Sequence, residues 1–147
     1  MTHNEKELLI KDLCARLPYG VKFNFKYAES SSEIMRAIYL QDYMIISSKD
    51  YSCEINDIKP YLFPLSSMTD EQANELFNLF GISLLDSVGR DYIKINECTG
   101  ITFFLNKGFD VETHLDKLMN WLNTNHFDYR GLIPMGLAID ATGLNIY

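Results

Sequence analysis

The sequence predicts an α+β fold, in which a small antiparallel sheet, an N-terminal meander plus a later hairpin, packs with about three helices. Three separated segments repeat apolar residues at helical spacing. Between the first two, apolar and polar residues alternate with period two. The connections there are too short for parallel crossovers, so the strands should run antiparallel.

The first helix is expected from Glu5 to Leu17. Asn4 and Glu7 have capping-box spacing, and Leu9, Leu13 and Leu17 recur every fourth residue. Pro18 and Gly20 end it, because proline cannot continue a helix and glycine permits the turn. Val21 to Tyr27 then alternates almost perfectly, the pattern of a half-buried strand. Ile34 to Leu40 and Tyr43 to Ser47 read as two more strands joined near Gln41-Asp42, and Glu54 to Leu62 as a fourth.

Thr69 with Gln72 forms a second capping box. Asp70 and Glu71 complement the positive end of the helix dipole. Ala73, Leu76, Phe77 and Phe80 make one apolar face, and Gly81 is the expected stop. Asp91 to Asn96 and Ile101 to Leu105 flank Cys98-Thr99-Gly100 as a hairpin. Asp110 is placed to cap a third helix striped by Val111, Leu115, Leu118, Met119 and Leu122. The tail from His126 to Tyr147 carries Gly131, Pro134, Gly136 and Gly143, so it should pack on the body with little regular structure.

A chain of 147 residues suits one domain, expected over 1–147 with an internal hinge near 64–68, where Pro64 separates strands from helix. Nine Tyr and nine Phe against one Trp imply either a ring-rich core or a tyrosine-rich contact surface. Cys14, Cys53 and Cys98 are odd in number, widely spaced and without a C-x-x-C, which argues against a disulfide framework or a zinc site. The N-terminus lacks the pattern of a signal peptide, and nowhere do about 18 apolar residues run together. The expected location is therefore cytoplasmic, with no membrane partner.

The net charge is −7, unevenly placed. Residues 1–63 hold eight Lys/Arg against nine Asp/Glu, and residues 64–147 hold five against eleven. Such acidity argues against nonspecific nucleic-acid binding. It suits solubility, a basic protein partner or mimicry of DNA.

His126-Phe127-Asp128-Tyr129-Arg130-Gly131 is the densest set of functional residue types. Read as an enzyme of anionic substrates, it offers His126 as general base, Asp128 to orient it and Arg130 as clamp. Read as structure, Asp128 caps a turn, Arg130 pairs with a carboxylate, and Phe127 and Tyr129 anchor the tail. Adjacent residues rarely point at one substrate, which favours structure. His3, His114 and His126 lack a metal spacing such as H-x-x-x-H. Asp110 and His114 do share a helical face, where a surface metal site is conceivable beside the ordinary solvated reading. Neither a glycine-rich phosphate loop nor a nucleophile elbow occurs, so no cofactor or metal is expected. Lys22 and Lys26 alternate with Phe23 and Phe25, the basis of a nucleic-acid alternative that any half-buried strand would also produce. Lys59-Pro60-Tyr61-Leu62-Phe63-Pro64-Leu65 reads either as a docking strand or as the last strand covering the core.

Two stretches carry a resemblance. The segment Lys59 to Gln72, and Trp121-Leu122-Asn123 with His126 to Ile133 and Gly136-Leu137-Ala138, resemble an uncharacterised family of small proteins from gut bacteria and their phages and prophages. The resemblance covers about a third of the chain. It implies a cytoplasmic accessory protein of mobile-element origin and carries no activity, cofactor or catalytic residue. Together with the charge, the aromatic content and the missing catalytic motifs, it points to a non-enzymatic protein that binds a host or phage protein. The candidate binding residues are Tyr61, Phe63, Asp128, Tyr129 and Arg130.

Overall fold

The computed structural model describes residues 1–28, 31–41, 43–80, 92–96, 100–104 and 111–147. The chain divides into two compact units, Met1–Leu62 with Leu132–Tyr147, and Phe63–Gly131. The fold is α+β: among the described residues, a six-stranded, mostly antiparallel sheet and three helices, with a two-stranded hairpin sheet of its own.

In the first unit, helix α1 spans His3–Arg16. It starts earlier than expected because Thr2, not Asn4, is the cap: Glu5 N donates to Thr2 Oγ1 at 3.3 Å and Thr2 N to Glu5 Oε2 at 2.6 Å. This is a full capping box, placed two residues upstream of the one read at Asn4 and Glu7. A 3-10 turn over Leu17–Tyr19 follows, and Gly20 closes it at φ 71°.

The sheet is built from β1 (Lys22–Ala28), β2 (Ser31–Gln41), β3 (Met44–Ser47), β4 (Ser52–Glu54), β5 (Ile58–Leu62) and β8 (Ile139–Asp140). Their spatial order is β4-β3-β2-β1-β5-β8. The meander predicted for the first four strands is present, with two differences. The strand expected over Glu54 to Leu62 is broken by a 3-10 turn at Ile55–Asp57, so β4 pairs with β3 while β5 pairs with β1 on the other side. The tail is less irregular than expected, since β8 joins β5 in parallel through Tyr61↔Ile139 and Leu62↔Asp140.

Directly opposed residues of an antiparallel pair share a face. Phe23↔Met35, Phe23↔Pro60 and Leu40↔Ile45 therefore define the inner face, and α1 covers it with Leu9 and Leu13. Each such leucine contributes about 1.5–3 kcal/mol by full burial. Leu132, Leu137 and Ala138 of the tail complete this core. Within it Asp12 and Arg16, both 0% exposed, form a two-bond ion pair at 2.7 and 3.1 Å, one helical turn apart.

The second unit holds α2 (Asp70–Phe80), the hairpin β6 (Tyr92–Asn96) and β7 (Gly100–Phe104), and α3 (Val111–Thr124). The α2 capping box is where the sequence puts it, Thr69 N to Gln72 Oε1 at 3.0 Å and Gln72 N to Thr69 Oγ1 at 3.3 Å. A 3-10 turn over Leu65–Ser67 occupies the predicted hinge. The hairpin pairs Tyr92↔Phe104 through Asn96↔Gly100 as a separate sheet instead of extending the main one. Leu65, Leu76, Leu118, Trp121, Leu122, Phe127 and Tyr129 form this unit's core. The Gly81 stop, the Asp110 cap, Asp42, Asp91, Cys98, Thr99 and Leu105 lie outside the described residues, as do the side chains of Phe77, Phe80, Val111, His114 and Leu115.

Candidate functional site

The segment richest in functional residue types is built around the end of α3. His126 N donates to Asn123 O at 3.2 Å and Phe127 N to Leu122 O at 3.0 Å. That bond pair is a Schellman cap, with His126 in its left-handed position at φ 57°. Glycine usually stands there, and a histidine in that conformation carries backbone strain. The next residues are tied to Phe63: Phe63 N donates to His126 O at 2.9 Å, and Asp128 N donates to Phe63 O at 2.8 Å. Phe127 stacks on Trp121 at 5.7 Å and meets Phe63 edge-on at 6.5 Å.

The structure therefore brings Phe63, Asp128, Tyr129 and Arg130 together, but largely inward. His126, Asp128 and Tyr129 are each 6% exposed, and Phe63 and Arg130 are half-buried. Tyr129 OH donates to the buried Asn123 Oδ1 at 3.0 Å and accepts from Arg130 Nη2 at 2.8 Å. The guanidinium also lies over the Tyr129 ring at 4.8 Å, a cation–π arrangement that holds it on its own neighbour. A backbone-clamped cap with an aromatic anchor is what this geometry does chemically.

Tyr61, in the first unit, is 7% exposed, and burial pushes its phenol pKa upward. Its carbonyl accepts from Tyr147 OH at 2.8 Å, and the same hydroxyl accepts from Lys22 N at 3.1 Å. Tyr147 as a residue is 40% exposed, yet its hydroxyl is held between two backbone groups. Desolvation of that hydroxyl pushes its pKa to about 12. Cys14 is exposed and Cys53 buried; burial, then the Asp57 charge, raises the Cys53 thiol pKa. A cavity of about 390 Å³ lined by Phe25, Glu33, Met35 and Tyr51 opens on the inner side of β1 and β2, where Glu33 is paired with Lys49.

Sequence reasoning missed the outer face of the sheet. Asn24↔Ile34 and Tyr39↔Ile46 lie on the side opposite Phe23, Met35 and Ile45. The register shifts between Ala37 and Tyr39, a β-bulge. The extra residue lets Ile38 and Tyr39 both reach solvent in succession, which a regular strand forbids. Ile34, Ile38 and Tyr39 are 47%, 48% and 50% exposed. One signal was available: from Ile34 to Leu40 both phases of the alternation carry large apolar side chains, so one of them had to face outward.

No protein-family model, curated protein or solved structure matches the chain. Among the described residues, no group of three His, Cys, Asp or Glu could hold a metal ion, and no helix is long and apolar enough to cross a membrane.

Proposed function

We propose that this chain is a non-enzymatic protein-interaction protein, an accessory protein of phage or mobile-element origin. The observation that carries the interaction reading is the bulged strand β2, which presents Ile38 and Tyr39 side by side and half exposed on an open sheet face. Contiguous exposed apolar side chains rimmed by polar ones mark contact surfaces. Acid–base chemistry at His126, Asp128 and Arg130 has less support, because the first two are nearly buried and the third is held by Tyr129. The origin rests on the motif resemblance alone.

The test is capture of partners from host lysate on tagged protein, with crosslinking and mass spectrometry. The control is a double variant, Ile38→Ser with Tyr39→Ser. A stoichiometric partner captured by the parent protein and lost by the variant is the expected result. A blank with the parent protein under crosslinking would end the interaction reading.

A further inference from the structure

Resting on that interaction reading, we infer that the outer face of strands β1, β2 and β5 docks an acidic, amphipathic protein segment. The register places Lys22 opposite Arg36, Ile34 opposite Asn24, Asn24 opposite Lys59, and Lys26 opposite Ser32. Four cations of three neighbouring strands thus share one face, around Ile34. Within β1–β5 the carboxylate on that face is Glu54, on the edge strand β4 opposite Met44, and Glu33 lies on the other face opposite Phe25.

Lys22 is occupied, its ammonium bonded to Ile146 O and lying over the Tyr147 ring. Lys26, Arg36 and Lys59 are exposed and have no ion pair among the described residues. Like charges directly opposite each other, as Lys22 and Arg36 are, weaken a sheet. The fold retains that cost, and it makes room for the guanidinium at Gly20, where a Cβ would come within 2.9 Å of Arg36 Nε.

A concentrated positive face on a chain of net charge −7 selects for local negative charge. Screening over about 8 Å at physiological ionic strength confines the repulsion of the remaining carboxylates. The apolar side chains decide between an acidic protein and a nucleic acid. Bases need aromatic faces to stack on. Phe23 is turned into the core and Phe25 packs against it. Of the three exposed apolar side chains on the open side, Ile34 and Ile38 are aliphatic and Tyr39 alone offers a ring, too few for successive bases to stack on. Aliphatic side chains of an acidic segment fit Ile34, Ile38 and Tyr39, and its carboxylates fit Lys26, Arg36 and Lys59.

The test is fluorescence anisotropy of the full chain with three labelled probes: a peptide of alternating glutamate and leucine, its lysine–leucine counterpart, and an oligothymidylate of equal length. The glutamate–leucine peptide should bind best. The triple variant Lys26→Glu, Arg36→Glu, Lys59→Glu should weaken it about tenfold or more, about 1.4 kcal/mol. The charge-conserving triple Lys26→Arg, Arg36→Lys, Lys59→Arg should retain it. Circular dichroism checks that both variants fold. Tighter binding of the oligothymidylate would overturn the inference in favour of nucleic acid. Peptide binding that is absent, or unmoved by charge reversal, would also overturn it. A lysate partner still captured by the charge-reversed protein would overturn the acidic occupant while leaving the interaction reading at Ile38 and Tyr39 intact.

Discussion

The two units treat their chemically expressive residues in opposite ways. The unit of residues 63–131 carries five Lys/Arg against ten Asp/Glu, yet it draws His126, Asp128 and Asn123 into its interior beside Trp121, Phe127 and Tyr129. The unit of 1–62 and 132–147 carries eight against ten, and it turns three cations and three large apolar side chains outward on one sheet face. In the first case polar groups close a helix end, where hydrogen bonds left open by the last turn must be met. In the second, a sheet with one face covered by α1 has a second face that the tail meets at Lys22 and that stays exposed at Ile34, Ile38 and Tyr39. The density of functional residue types along a sequence is therefore a poor guide to exposure, because exposure follows from what each face packs against.

That contrast can be broken or sharpened by substitution. The largest effect is expected in the first unit's interior, where Asp12→Ala takes away the carboxylate that compensates the buried Arg16 charge. A loss of about 3–5 kcal/mol in urea unfolding is expected, and a loss below about 1 kcal/mol would show that the pair is not sequestered from water. In the second unit, Tyr129→Phe removes the donor to Asn123 Oδ1 and the acceptor for Arg130. Its expected cost is about 1–3 kcal/mol, since a buried oxygen loses its donor; no change in the unfolding midpoint would contradict the anchoring role.

Tyr147 supplies a pH-dependent test. Its folded pKa of about 12 lies above the ordinary phenol value of 10.0. The hydroxyl's contribution is therefore fully present below about pH 10 and is lost as pH rises towards about 12. Allowing for the 40% exposure of the residue, the loss should be about 1–2 kcal/mol. Alkaline unfolding of Tyr147→Phe should lack this limb, and an identical pH profile would show that the hydroxyl is not held by Lys22 N and Tyr61 O. The smallest effect belongs to the open face: Ile38→Ser should leave stability within about 0.5 kcal/mol. A larger loss would mean that Ile38 is structural and would weaken the contact-surface reading.

How much of the molecule could be read in advance depends on the distance over which each feature is decided. The α2 capping box needs only Thr69 and Gln72, and the alternation of Val21 to Tyr27 is complete in itself. Both were legible, as were the hairpin and the Leu118, Met119 and Leu122 part of the α3 stripe. The break at Ile55–Asp57 was not, because Glu54 to Leu62 has strand-like composition throughout and only the pairing partners, β3 on one side and β1 on the other, divide it. The tail strand β8 was hidden for the same reason: two residues carry no periodicity, and β5 is what makes them a strand.

Of the five residues nominated for binding, four do converge, but into a core and its rim, since the Schellman cap and the bonds to Phe63 turn them inward. By itself, the sequence determined the fold class and most of its elements, because caps, stripes and alternation are settled among residues a few positions apart. Only the tertiary structure decided which face of β2 meets solvent. Both of its phases are apolar, and pairing with β1 and β3, the bulge at Ile38 and the cover supplied by α1 choose between them.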